Sequence, residues 1–269
     1  MNEGLDRNAG FTTTVDSLQD LYSSILEYYD ELFPLDEGAC DFFLGLKEEL
    51  RSQNKLPVAP LYRYLGIGCA TGALEIKLSG TGFDITGIDR NPDMIATAKR
   101  RLHSSFSTTR FFEMSTTEMA RYLKKNSFHV IACLDNTLPY IADLTLLRKF
   151  FHDAKTLLTQ DGKLIIHCLN ADGLAESKPV RLPERSSIRV RLSQAYIPAN
   201  NGEMTFQTSL ELGNGKTISL KKGIPIQILS TTKIMDLARE AGFTRITVWG
   251  DYRKGNFTSS SENAVIMCS

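Results

Sequence analysis

Residues 61–78 read LYRYLGIGCATGALEIKL, an apolar strand-like run, then three glycines within seven residues, then a helical pattern. Gly66, Gly68 and Gly72 mark the turn, and Asp89 ends the next strand-like run, 17 residues past Gly72. Glycine lets a ligand approach the backbone closely, and the start of a helix presents unpaired N–H groups that favour anionic groups. A carboxylate at the end of a second strand is placed to accept from ribose hydroxyls. Turn, carboxylate and strand–helix context together predict a nucleoside-type ligand.

Such a ligand needs a sheet edge to sit on. Strand-like runs cover Tyr62–Ile67, Asp84–Asp89, Thr108–Met114, Phe128–Leu134 and Lys163–Leu169. Between them Met94, Ile95, Ala98 and Leu102 mark one helical face. Leu146, Leu147, Phe150, Ala154, Leu157 and Leu158 mark another. Asn91-Pro92 reads as an N-cap followed by proline at the first helical position. Strands separated by helices build a parallel sheet with right-handed crossovers, and these sheets bind ligands beyond their strand carboxyl ends. A helix over Thr231–Ala241 and strands over Thr244–Trp249 and Asn263–Met267 close the pattern. Only about 13 residues join the last two strands, which predicts antiparallel neighbours.

Two segments depart from the alternation. Leu18, Leu21, Tyr22, Ile25, Tyr29 and Leu32 form one helical stripe, and a second helix follows near Ala39–Ser52. Later, Ile188, Val190 and Leu192 alternate with Arg189, Arg191 and Ser193, and Met204, Phe206, Thr208, Leu210 and Leu212 alternate again. Asn200-Asn201-Gly202 and Gly213-Asn214-Gly215 are hairpin turns, so this stretch reads as an antiparallel meander. The expected organisation is a helical lid over residues 1–57, an α/β domain from 58–170 and 229–269, and a meander over 171–228.

Composition narrows the partners. Lysine plus arginine equals aspartate plus glutamate at 31 each, so no bulk charge draws the chain to nucleic acid or an anionic membrane. No apolar run approaches a membrane span, and residues 1–20 lack the apolar core of a signal peptide. Five scattered cysteines fit free thiols in a reducing, cytoplasmic compartment. No His, Cys and carboxylate cluster has metal-ligand spacing, so no metal is expected. His103, His129 and His152 read as surface or packing residues, and the arginines Arg189 and Arg191 as a solvated face or an anion-holding one.

In this order the segments resemble the class I S-adenosylmethionine-dependent methyltransferases. LGIGCATG (65–72) is similar to their first motif, an acidic residue followed by G-x-G-x-G, and GIDRNPDM (87–94) to their second. FHVIACLDNTLPY (128–140) resembles their fourth strand and its loop, and LLTQDGKLII (157–166) the turn into their fifth. The resemblance implies a Rossmann-like, seven-stranded, mostly parallel sheet with an antiparallel last strand. It further implies S-adenosyl-L-methionine as cofactor, cradled at Gly66, Gly68, Ala70 and Gly72. Asp89 would take the ribose hydroxyls, with Arg90, Met94, Ser115 and Thr116 near the adenine. Leu134 would offer its carbonyl to the methionine ammonium, and Asp135 and Asn136 would face the methyl group. The leading helices and the meander are similar to small-molecule members that methylate glycine or amino sugars.

Three positions depart from the family pattern. Gly66 stands where the first acid belongs, Ala70 replaces the middle glycine, and Met114-Ser115 replaces an aspartate after the third strand. Alanine at position 70 is tolerable while that residue keeps negative φ. Each lost carboxylate is worth roughly 1–2 kcal/mol of cofactor binding. The resulting expectation is methyl transfer to a small molecule, an amine before a hydroxyl, with lid and meander over the acceptor. Asp135, Tyr140, His167 and Tyr29 are the candidates for managing the acceptor's proton. Homodimerisation stays open, as do two other readings: a non-catalytic binding homologue and an NAD(P)-dependent oxidoreductase.

Overall fold

Strands Tyr62–Ile67, Phe83–Asp89 and Phe128–Cys133 are buried at nearly every residue, on both faces, as parallel strands between helical layers must be. The computed structural model describes residues 12–15, 17–52, 62–102, 108–141, 143–174, 178–199 and 203–269. The chain opens with β1 (Thr12–Val15), α1 (Leu18–Ser24), α2 (Tyr29–Leu32) and α3 (Glu37–Ser52). The alternation follows as β2 (Tyr62–Ile67), α4 (Ala73–Leu78), β3 (Phe83–Asp89), α5 (Pro92–Arg101) and β4 (Thr109–Glu113). It continues with α6 (Met119–Tyr122), β5 (Phe128–Cys133), α7 (Leu144–Leu157) and β6 (Leu158–Leu169). Then come β7 (Val180–Arg181), β8 (Arg185–Ser186), β9 (Val190–Pro198), β10 (Met204–Leu212), β11 (Thr217–Leu220) and β12 (Ile224–Ile226). The chain closes with α8 (Thr231–Glu240), β13 (Ile246–Trp249) and β14 (Asn263–Cys268).

These elements divide into two units, Met1–Pro34 with Glu176–Pro225, and Leu35–Ala175 with Ile226–Ser269. The larger unit holds a seven-stranded sheet in the order β13-β14-β6-β5-β2-β3-β4. β2, β3, β4, β5 and β6 are mutually parallel, and β14 runs antiparallel to both β6 and β13. This is the sheet the sequence predicts. One face carries Leu65, Ile67, Phe150, Phe151, Leu164 and Ile234. The other carries Phe42, Phe43 and Leu46 of α3 against Tyr64, Leu74, Phe83 and Val265. α3, grouped with the leading residues in the sequence reading, is therefore part of the sheet unit. Its apolar positions need the parallel strands as their partner. Leu146, read on the inner face of α7, is 40% exposed, and Leu158 begins β6 rather than ending the helix.

The smaller unit is a sheet in the order β1-β11-β10-β9-β7, with β8 on β9 and β12 on β10. β9, β10 and β11 form the expected meander. Gly215 takes φ +80° in the turn between β10 and β11, while Asn200-Asn201-Gly202 and His103 lie outside the described residues. Ile188, read as inward-facing, is fully exposed, because Ser187–Arg189 still belong to a turn and the strand starts at Val190. The predicted single helical stripe is broken after Ser24, whose hydroxyl donates to the Asp20 carbonyl, competing with the helix ladder. A 3₁₀ turn over Leu26–Tyr28 follows. Leu21, Ile25 and Leu32 nevertheless pack on Val190, Leu192, Leu210 and Ile218. Arg189, in the turn before β9, is held by Glu27 at 2.7 Å and by Glu31, and lies over the Tyr28 ring, so it is paired rather than a solvated strand residue. Among the described residues no helix is long and apolar enough to cross a membrane.

The docking of α3 is testable. Phe43 is 1% exposed. Phe43→Ala should cost about 3–5 kcal/mol of stability by urea unfolding, the range for a buried aromatic; a loss near zero would mean α3 is not part of this core.

Candidate active site

The carboxyl ends of β2, β3, β5 and β6 meet along one edge of the larger unit. After β2 the chain folds back toward β3, with the Gly68 and Cys69 amides both donating to the Ile88 carbonyl at 2.8 and 3.0 Å. Asp89 fastens this loop. Its Oδ2 accepts from the Ala70 amide at 3.0 Å and its Oδ1 from the Asn91 amide at 2.8 Å. Burial raises the Asp89 carboxyl above its ordinary value, against the pull of those two amides. Asn91 Oδ1 caps α5 through the Asp93 and Met94 amides, as the Asn-Pro pair predicts. Met94 is buried and Arg90 exposed.

Gly68 and Gly72 have φ of +68° and +72°. A Cβ on Gly68 would lie 2.8 Å from the Thr137 side chain, and one on Gly72 2.6 Å from the Phe111 ring. Both glycines are required twice over, by conformation and by space. Ala70 has φ +46°, so the expectation of a negative φ is overturned. The loop geometry and the Asp89 bond hold an alanine where glycine would be at ease, at a cost of about 1–2 kcal/mol.

Gly66 is a sheet residue, opposite Gly87 on one side and Ala132 on the other. A Cβ built there would overlap Oε1 of Glu75, which reaches back from α4. Glu75 is 3% exposed. Burial pushes its carboxyl up to about 8, and the charges of Asp135 and Asp89 act in the same direction. The Tyr64 hydroxyl beside it is buried without a hydrogen-bond partner, and burial raises that phenol too.

The loop after β5 is a second strained turn, with Asp135 and Asn136 at φ +50° and +60°. The Leu134 carbonyl accepts from the Thr137 amide at 3.1 Å. The Asn136 amide donates to the His167 carbonyl, and its Oδ1 accepts from the Leu169 amide, so the turn is stitched to β6. His167 Nδ1 accepts from the Asp135 amide at 3.3 Å and lies 3.3 Å from its carboxylate. Its ring packs 4.9 Å from that of Tyr252. Tyr140 ends the 3₁₀ turn Leu138–Tyr140 that follows. Ser115 caps the 3₁₀ turn beginning at Thr116, and the Met114 amide donates to the Asp89 carbonyl.

The structure thus brings Gly68, Ala70, Gly72, Asp89, Leu134, Asp135, Asn136 and His167 to one edge of one unit. Tyr29 belongs to the smaller unit, stacked on Phe33 at 4.8 Å and edge-on to Tyr22. Three residues of the edge escaped the sequence reading: Glu75, Thr137 and Tyr252. For Glu75 there was a signal, an acid flanked by Leu74 and Leu78 in a helix whose partner strand lacks the expected acid. His129, away from this edge, accepts from the Arg63 amide and stacks on Tyr62, a packing role. Among the described residues no group of three or more His, Cys, Asp or Glu side chains could hold a metal ion.

A family described as a methyltransferase domain matches residues 59–196. A putative methyltransferase of Geobacillus sp. (strain WCH70) is 28% identical over 144 residues, 54% of this chain. The match spans 56% of that relative, little more than half its length. A glycine/sarcosine N-methyltransferase of Parasynechococcus marenigrum is 24% identical over 221 residues, 81% of this chain and 72% of that protein. Among solved structures, an S-adenosylmethionine-dependent methyltransferase from Clostridium acetobutylicum superposes with a TM-score of 0.71 at 17% identity. That superposition covers 93% of this chain and 98% of the other, and shows the shared fold.

The strain at Ala70 makes a prediction. Ala70→Gly should stabilise the protein by roughly 0.5–1 kcal/mol in urea unfolding, because relief of the left-handed alanine outweighs glycine's greater entropy loss. A destabilised variant would show that the loop does not hold this conformation in solution.

Proposed function

Since the chain belongs to the methyltransferase-domain family, in its class I, S-adenosylmethionine-dependent form, we propose that it methylates a small molecule, and that the accepting atom is an amine nitrogen. The observation that carries the cofactor half is the cradle at Gly68 and Gly72, which any side chain would fill, fastened to the Asp89 carboxylate. Support for the amine comes from the likeness to the glycine/sarcosine N-methyltransferase. Balanced charge supports a small acceptor over a nucleic acid, and the five free thiols favour a cytoplasmic setting.

The bound cofactor would bring the methyl group on a positively charged sulfur that is already a good leaving group. The protein's share is then to hold, orient and keep water out. Gly68, Ala70 and Gly72 give the backbone cradle. Asp89 meets the ribose, sharing its oxygens with the amides it already holds, and Met94, Ser115 and Thr116 border the adenine. Asp135 and Asn136, fixed by their ties to His167 and Leu169, face the acceptor. His167 Nδ1 is occupied by the Asp135 amide, so the imidazole positions Asp135 before it could serve as a base. The acceptor's proton falls first to Asp135, then to Tyr140.

Titration calorimetry tests the cofactor. S-adenosylmethionine and its demethylated product should bind while NAD and NADP do not, and Asp89→Ala should weaken binding by roughly 1.5–3 kcal/mol. Nicotinamide cofactor binding alone would instead establish an oxidoreductase. Turnover on a panel of amino acids and amino sugars tests the acceptor. The rate should rise with pH until the bound ammonium has lost its proton, with N-methyl products by mass spectrometry. O-methyl products would replace the amine reading, and cofactor binding with no product across the panel would leave a non-catalytic binding protein.

A further inference from the structure

Glu75 has no role in the reading above, yet it is the most deeply buried carboxyl at the candidate site. It sits in the first turn of α4, between Leu74 and Leu78, and its Oε1 fills the space a side chain on Gly66 would take. Among the described residues the titratable groups acting on it are Tyr64 of β2, Cys69 of the loop, Asp89 at the end of β3 and Asp135 after β5. None is cationic. Lys77, on the same helix, is exposed and paired with Glu37 of α3 at 3.0 Å. A buried carboxylate without a cation is costly, and such a group stays protonated until a positive charge arrives.

We propose that Glu75 is a charge-sensing group for the glycine loop: neutral without ligand, it ionises and supplies the counter-charge when a cationic ligand binds there. This rests on the cofactor reading. S-adenosylmethionine carries two cationic groups, its sulfonium and its α-ammonium, while the demethylated product keeps only the ammonium. The acid missing at position 66 is thereby delivered to the same space from position 75. The arrangement also gives the loop a preference for cations that a nicotinamide-type turn with an apolar residue at 75 would lack. Binding is coupled to release of one proton to solvent. Burial that pushes the carboxyl up to about 8 makes this release visible near neutral pH. Between roughly pH 4.5 and 8 the native chain then holds a proton the unfolded chain has lost, so stability of the ligand-free protein falls as pH rises through that window.

Calorimetry of S-adenosylmethionine and S-adenosylhomocysteine in buffers of different ionisation enthalpy counts the protons. Near pH 7 the wild type should release close to one proton per S-adenosylmethionine, and its affinity should tighten from pH 6 to 8. Release with both ligands assigns the ammonium as the partner; release with S-adenosylmethionine alone assigns the sulfonium. Glu75→Gln should release none, bind about tenfold more weakly with no pH dependence, and lose the pH slope of its thermal midpoint. Should that variant fold poorly, Gly66→Asp/Glu75→Ala moves the carboxyl to the strand and should restore both proton release and affinity. Wild-type binding without proton release, or a Glu75→Gln protein that binds like wild type, would overturn the proposal and leave the cofactor reading intact. No S-adenosylmethionine binding at all would overturn both.

Discussion

Everything at the candidate edge hangs on one carboxylate with two amides on it. Asp89 holds the Ala70 amide with one oxygen and the Asn91 amide with the other. It thereby joins the turn after β2 to the turn after β3. Without that bond the loop of residues 68–72 would have no reason to keep an alanine at positive φ. Hydrogen bonds to a charged acceptor are about twice as strong as neutral ones, enough to offset the strain of one left-handed residue. The Ile88 carbonyl, accepting from both Gly68 and Cys69, does the same work one residue earlier.

The turn after β5 repeats the principle with different chemistry. Asp135 and Asn136 are both left-handed, and neither is glycine. Asparagine and aspartate tolerate that region better than other residues, and here the strain is held by bonds to His167 and Leu169. Thr137 then presses against Gly68. The two turns therefore limit each other's shape: a bulkier residue at 68 would push on the β5 turn, and a shifted β5 turn would open space at 68. Strained, mutually supported turns at the carboxyl ends of a parallel sheet are the usual setting of a binding site.

Period and punctuation made most of the sheet legible. Apolar runs separated by helical faces give β2 to β6, and the short joint before Asn263 gives the antiparallel end. The alternating residues from Val190 onward and the glycine turn at Gly213–Gly215 give the meander. What could not be read depends on partners distant in the chain. β1 pairs with β11 across some 200 residues, and nothing local in Thr12–Val15 marks it as a parallel strand. α3 has the same apolar stripe whether it covers a meander or a sheet, so its place is decided by Tyr64, Phe83 and Val265 rather than by its own sequence. At the site, residue types revealed the glycines, Asp89 and the β5 turn. The sign of φ at Ala70 and the reach of Glu75 into the space of Gly66 are three-dimensional facts, and only the missing acid at position 66 hinted at the second.

The smaller unit is assembled from two stretches of chain, Met1–Pro34 and Glu176–Pro225. The apolar face of Leu21, Ile25 and Leu32 finds its cover on Val190, Leu192, Leu210 and Ile218. During synthesis that face leaves the ribosome well before its cover, with the larger unit's parallel strands between them. At translation rates of about 5–20 residues per second, it waits roughly 10–40 s with its leucines in water. In that interval β2 to β6 are completed. The order of emergence thus sets the order of assembly: the sheet of the larger unit has its parallel strands before the smaller unit has its second half. The nascent leading segment is meanwhile the part of this chain most open to chaperones and to wrong partners.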